Sequence, residues 1–155
     1  MIKKEMKIGD SVFTYLEIEP HEDKWNNYFM DVAIRTSEMS KGNRLKVGAV
    51  AVKDKRIVCT GYNGTVSRYG DESLEDENGN TKPEVLHAEE NIVAQAALHG
   101  ISLKGCVIYC NYNPCLHCAS LLAQVGISEV VYLNEYRDLS GIEKLKQYRI
   151  KVTKL

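Results

Sequence analysis

Apolar positions along the chain change period several times, and each change marks an element. Between residues 24 and 39 they recur at Trp25, Tyr28, Phe29, Val32, Ala33 and Met39, the three-to-four spacing of an amphipathic helix. Ser40-Lys41-Gly42-Asn43 supplies the stop. Residues 47–53 then run almost wholly apolar, as a buried strand does. Asp54-Lys55 turns the chain and residues 56–62 read as a second strand, so the two form a hairpin. Residues 85–99 return to a helical period, with Ile92, Val93, Ala96 and Ala97 as the stripe and Gly100 as the stop. A strand at 106–112 follows, then a helix from Pro114 to about residue 125, closed by Gly126. A strand at 130–133, a helix at 140–147 and a strand at 150–152 complete the pattern.

Each strand–helix–strand unit implies a right-handed crossover and parallel pairing. The expected fold is α/β: a mixed sheet of about five strands with helices on both faces, three layers in all. Residues 21–155 are expected to form this domain. Residues 1–20 read separately, as an N-terminal arm or accessory strand, because 11–18 alternates and is rich in β formers. Residues 63–82 are polar and glycine-containing, too long for a plain connection, which points to a functional loop.

Composition narrows the function classes. A chain of 155 residues with 44% hydrophobic and 26% charged residues matches one globular domain with its own core. The net charge is −1, and Lys and Arg are scattered. A binder of long nucleic acid needs a basic footprint to release counterions, so that class is disfavoured. A small anion needs only one or two local cations. The N-terminus lacks the apolar run of a secretory leader, and no window has the ~20 apolar residues of a membrane span. The expectation is a soluble protein of the cytoplasm, with no membrane partner. Five cysteines, an odd number, argue against a disulfide scaffold.

Two fragments carry chemistry: His87-Ala88-Glu89 and Pro114-Cys115-Leu116-His117-Cys118. Catalytic zinc takes three protein ligands and keeps one position open for water. Cys115 and Cys118, three apart at a helix start, face the same way, and the helix N-terminus favours thiolates. His87, at the start of the other helix, supplies the third ligand. Zinc lowers the pKa of bound water toward ~7, but a base must still carry the proton, and Glu89 is two residues from His87. H-x-E followed by P-C-x-x-C is the signature of zinc nucleobase deaminases. A purely structural zinc would need a fourth ligand. His117 is the nearest candidate, but inside the C-x-x-C it would point away from the metal.

At these residues the chain resembles the cytidine/deoxycytidylate deaminase superfamily, and within it the deoxycytidylate deaminases, those of phages included. The matching stretches are Trp25…Tyr28-Phe29-Met30, Arg44…Val47-Gly48-Ala49-Val50, Gly61-Tyr62-Asn63-Gly64-Thr65, Thr81-Lys82-Pro83-Glu84-Val85-Leu86-His87-Ala88-Glu89-x-Asn91, Pro114-Cys115…Cys118 and Val130-Val131-Tyr132. The resemblance implies a cytidine-deaminase-like fold and hydrolysis of dCMP to dUMP and ammonia, feeding thymidylate synthesis. It implies one catalytic Zn²⁺ on His87, Cys115 and Cys118, with Glu89 as catalytic proton carrier. It also implies substrate contacts at Asn63, Gly64, Thr65 and Tyr136. The family is commonly hexameric, activated by dCTP and inhibited by dTTP. Ser40, Arg44, Val47 and Gly48 resemble the region near that regulatory nucleotide, whose triphosphate would bring Mg²⁺. Members with a second, structural zinc have cysteines where this chain has Ser40-Lys41-Gly42-Asn43 and Ser73-Leu74-Glu75. Val66 replaces the proline usual after G-Y-N-G-T.

Other readings stay beside these. The substrate could be dCTP, free cytidine or a base in RNA, and a non-catalytic nucleotide-binding regulator could use the same fold. Cys59, Cys106 and Cys110 read as small buried hydrophobes, and Trp25 as core. Tyr136 could simply cap a sheet edge. Arg44, Arg68, Lys82 and Arg137 are candidate phosphate contacts, each alone an ordinary surface charge. Asp71, Glu72, Glu75, Asp76 and Glu77 read as a solvated acidic loop, or more sharply as carboxylates for Mg²⁺ on a triphosphate.

Overall fold

The computed structural model describes residues 2–8, 11–17, 24–66 and 73–155, the first two stretches by their backbone. The elements are β1 (Ile2–Ile8), β2 (Ser11–Glu17), α1 (Lys24–Ser37), β3 (Gly48–Lys53), β4 (Arg56–Tyr62), α2 (Ala88–His99), β5 (Val107–Tyr112), α3 (Leu116–Gln124), β6 (Glu129–Asn134), α4 (Ser140–Gln147) and β7 (Lys151–Lys154). β1 and β2 pair antiparallel as a separate two-stranded sheet, so residues 1–20 hold two strands where the sequence suggested one or an extended arm. Arg68, Asp71 and Glu72 lie outside the described residues.

The main sheet has the order β4-β3-β5-β6-β7. β3 is antiparallel to both β4 and β5, while β5–β6 and β6–β7 are parallel. β4 and β5 therefore run the same way with β3 between them, and both end at the same edge of the sheet. The β4–α2–β5 crossover is parallel, as the alternation of elements predicted. Side chains alternate across the pleat. Val50, Val52, Tyr109 and Val131 face α1, through Phe29, Met30 and Ala33. Ala49, Ala51, Ile108, Cys110 and Val130 face the other layer, with Ile92 and Ala96 of α2, Leu122 of α3 and Leu145 of α4. The fold is the expected three-layer α/β/α arrangement.

Boundaries shift where local chemistry overrides period. α1 stops at Ser37, and Met39 is exposed in the turn beyond. α2 starts at Ala88 rather than 85, because His87 adopts the extended N-cap conformation (φ −68°, ψ 160°). α3 starts at Leu116, with Cys115 as N-cap, so Pro114 precedes the cap rather than opening the helix. Cys106 falls just before β5, and Cys59 is only half-buried. Trp25, read as core, is 40% exposed and lies over Phe29 with ring centroids 5.8 Å apart. No helix among the described residues is long and apolar enough to cross a membrane.

Two glycines set how closely the site-bearing segments pack. A Cβ at Gly61 of β4 would sit 2.6 Å from the Ala88 carbonyl and 2.9 Å from the Ile92 nitrogen, both backbone atoms of α2. A Cβ at Gly141 of α4 would sit 2.1 Å from the Pro114 carbonyl and 2.8 Å from that of Cys115. In each case the backbones touch where any side chain would separate them.

Candidate active site

The ends of β4 and β5 deliver the N-termini of α2 and α3 to one place. His87 Nδ1 lies 3.6 Å from Cys115 Sγ and 3.4 Å from Cys118 Sγ. Among the described residues, these three form the one group of donors placed to share a metal. Zinc bonds of 2.3 Å to sulfur and 2.0–2.1 Å to nitrogen give S···N edges of about 3.6 Å in a tetrahedron. The residues therefore fit zinc in type, number and spacing.

Electrostatics in the metal-free chain agree with that fit. Cys115 is held down to about 3, first by a hydrogen bond from the Cys118 thiol and then by His87. Its thiolate also accepts the Cys118 backbone N–H at 3.4 Å, capping α3. The hydrogen bond to that thiolate raises His87 to about 9. Cys118 is raised because its thiol proton bridges to Cys115 and because it is buried.

Glu89, 4% exposed, stands beside the cluster at the wall of a cavity of about 340 Å³. Burial pushes its carboxyl up to about 7. Cys110 Sγ lies 3.9 Å from Glu89 Oε1, so this cysteine, read from sequence as inert filling, packs against the carboxyl. His87, Cys115, Asn63, Tyr136, Arg44 and Arg137 face the same cavity, as do Leu74, Glu75 and Thr81 of the long polar loop. Glu75 accepts from the backbone N–H groups of Asn43 and Arg44 at 2.8 and 3.2 Å, which ties that loop to the cavity's opposite rim.

The remaining sequence-derived candidates fall in several places. Gly64 exchanges two backbone hydrogen bonds with Leu86, and the chain beyond it turns so that Thr65 lines a groove between β4 and α2 instead. Ser40 and Gly48 are buried. The Ser40 hydroxyl donates to the Asn63 carbonyl, and the Gly48 N–H donates to Asn111 Oδ1. Val47 faces the cavity with Arg44. Asn63 accepts from the Val47 N–H and donates to the Leu45 carbonyl, so its amide braces the wall it belongs to.

A set of buried amides escaped the sequence reading. Asn111 ties β5 to the Lys46 carbonyl and the Gly48 N–H. Asn113 accepts from the Tyr136 N–H and donates to the Asp138 carbonyl, holding the loop that carries Tyr136 and Arg137. Their one sequence signal was two asparagines, Asn111 and Asn113, at a strand end, which is equally common in ordinary turns.

A three-donor His/Cys/Cys cluster opening on a cavity, with a buried carboxyl beside it that is not a donor, fits a catalytic better than a structural metal centre. The family follows from comparison. The model for the cytidine and deoxycytidylate deaminase zinc-binding region matches residues 23–134, and the chain belongs to this family. ComE operon protein 2 of Bacillus subtilis is 34% identical over 119 residues, covering 73% of this chain and 61% of that protein. The deoxycytidylate deaminase of Saccharomyces cerevisiae is 34% identical over 137 residues, covering 83% and 44%. The chain thus spans about half the length of these curated relatives. The crystal structure of the dCMP deaminase from cyanophage S-TIM5, in complex with dCMP and dUMP, is similar with a TM-score of 0.82 and 37% identity. The match covers 90% of this chain and 100% of that one.

Proposed function

We propose that the protein hydrolyses dCMP to dUMP and ammonia. The observation that carries this reading is Glu89, buried against the three-donor cluster at the wall of a nucleotide-sized cavity. Zinc, when bound, supplies the Lewis-acid activation of water. Glu89 moves the protons. It takes one from the attacking water and gives it to N3 of cytosine as oxygen adds at C4, then takes the proton of the new C4 hydroxyl and gives it to the exocyclic nitrogen as the C4–N bond breaks, leaving the C4 carbonyl and ammonia. A carboxyl raised to about 7 can both accept and donate near neutral pH. Asn63 and Tyr136 flank the sugar and base, and Arg44 and Arg137, exposed at the rim, attract the 5′-phosphate. The phage enzyme whose structure resembles this one was solved with dCMP and dUMP, which supports dCMP over the other cytosine compounds.

The family resemblance extends the reading to a homo-hexamer activated by dCTP with Mg²⁺ and inhibited by dTTP. Arg44 and Val47 face the substrate cavity and Ser40 and Gly48 brace it from behind, so an effector bound in this region would act on the cavity wall. One assay tests the substrate and the regulation together. Ammonia release is measured on zinc-loaded protein from dCMP, dCTP, deoxycytidine and an RNA containing cytosine and adenosine, with and without dCTP–Mg²⁺ or dTTP at low dCMP. Release chiefly from dCMP is expected, raised by dCTP and lowered by dTTP. Release chiefly from another compound discards dCMP, a flat response to both effectors discards the regulation, and silence on every substrate discards the enzyme.

A further inference from the structure

Glu90 takes no part in the chemistry above, yet its carboxylate lies between the two helices that carry the cluster. Its Oε2 accepts the backbone N–H of His87 at 2.7 Å. Its Oε1 lies 3.3 Å from Nε2 of His117, which stands on the first turn of α3 between Cys115 and Cys118. The first contact is local, the return half of a capping box on α2. The second crosses from α2 to α3. One carboxylate therefore joins the peptide that bears one metal donor to the turn that bears the other two.

His87 is the most exposed of the three donors; as N-cap its carbonyl accepts the Asn91 N–H at 2.9 Å, while its own N–H has no partner within the helix ladder. A metal leaves a three-donor cluster stepwise, and the most exposed donor is the first open to exchange. The Glu90 contact ties the backbone of that donor toward α3.

We propose that Glu90 is a positioning residue for the metal centre, anchored on α3 by His117: it fixes the separation of the two helix N-termini and so slows the loss of zinc. The proposal rests on the zinc reading and is independent of which nucleotide is the substrate. Contacts that orient metal donors typically change metal affinity ~10–100-fold when removed.

The test follows zinc transfer from the loaded, full-length protein to excess 4-(2-pyridylazo)resorcinol, alongside thermal melting of the zinc-free forms. Glu90→Ala, which removes both contacts, is expected to release zinc about tenfold faster or more. Glu90→Gln keeps an acceptor for the His87 N–H but loses the charge facing His117. It and His117→Ala are each expected to release zinc roughly threefold faster, the scale of a single exposed contact. The double variant Glu90→Gln/His117→Ala should be no faster than the faster single variant, since both break the same link. The zinc-free melting temperature of Glu90→Gln should stay at that of the wild type. Release at the wild-type rate from Glu90→Ala overturns the proposal, and so does a lowered melting temperature in Glu90→Ala without faster release, which would leave only a helix cap. Effects of Glu90→Gln and His117→Ala that multiply would show that they share no contact and overturn the bridge. A wild-type protein that takes up no zinc, seen from its metal content before any rate is measured, overturns the metal reading itself.

Discussion

The two helix N-termini that meet at the site are built differently. That of α2 is held from outside: Gly61 lets its backbone rest on β4, Asn91 donates to the Tyr62 carbonyl at 3.0 Å, and Glu90 closes the cap. That of α3 is held largely by itself, since Cys115 is both metal donor and N-cap, and fully buried Pro114 is pressed against Gly141. The α2 end carries one of the three candidate donors and the proposed proton carrier, while the α3 end carries the other two and no residue of the proposed proton transfer. Where chemistry must be tuned, the support is distributed over several elements. Where only spacing matters, one short motif suffices.

The largest effects should separate these two tasks. Glu89→Gln on α2 is expected to lower dCMP turnover ~10²–10⁴-fold, the usual worth of general acid–base help, with zinc content at the wild-type level. Cys118→Ser on α3 is expected to lose both. Steady-state rates paired with metal analysis decide this, and Glu89→Gln with full activity would remove the carboxyl from the mechanism.

The next effect concerns packing. Gly141→Ala forces a Cβ to 2.1 Å from the Pro114 carbonyl, and Gly61→Ala forces one to 2.6 Å from that of Ala88. Each clash is against backbone and cannot be relieved by a rotamer change, so each should cost on the order of 1–3 kcal/mol or more. Gly141→Ala should be the worse in urea denaturation of the zinc-loaded protein. The reverse order would mean that α3 yields more easily than its self-contained cap suggests.

The last effect appears without zinc. The folded Glu89 carboxyl sits at about 7, above its ordinary 4.5, so the native state binds this proton more tightly than the unfolded chain does. Its stabilising contribution is full below about pH 4.5 and is lost as pH rises to about 7. Zinc-free Glu89→Gln should therefore gain on the zinc-free wild type across that window, by up to roughly 3 kcal/mol at pH 8. Equal stability at pH 5 and pH 8 would show that the carboxyl is better solvated than its burial indicates.

Much of this was legible in the sequence. The β3–β4 hairpin followed from two apolar runs around Asp54-Lys55, whose positive φ values of 50° and 59° match the turn that two-residue hairpins prefer. The clustering of Cys115 and Cys118 followed from spacing, because Cys-x-x-Cys at a helix start leaves the two sulfurs little freedom. The start of α2 was misplaced because Val85 and Leu86 continue its apolar run. In the structure Val85 faces the cavity, and Leu86 pairs with Gly64. Glu90 left a trace as the acidic residue three after a cap position, but histidine is an unusual cap and hid it. The packing of Gly141 against Pro114, and of Cys110 against Glu89, join residues that are distant in the chain, and a pattern of local periods carries no record of such contacts.

The order of strands has one more consequence. His87 and Cys115 are 28 positions apart, and His87 and Cys118 are 31 apart; their donor atoms meet only after β3 has aligned β4 with β5. Free metal then binds the folded chain more tightly than the unfolded one, which keeps only the local Cys115–Cys118 pair, so mass action makes zinc concentration a stability variable. Above the dissociation constant, each tenfold rise in free zinc adds up to about 1.4 kcal/mol to the folded state.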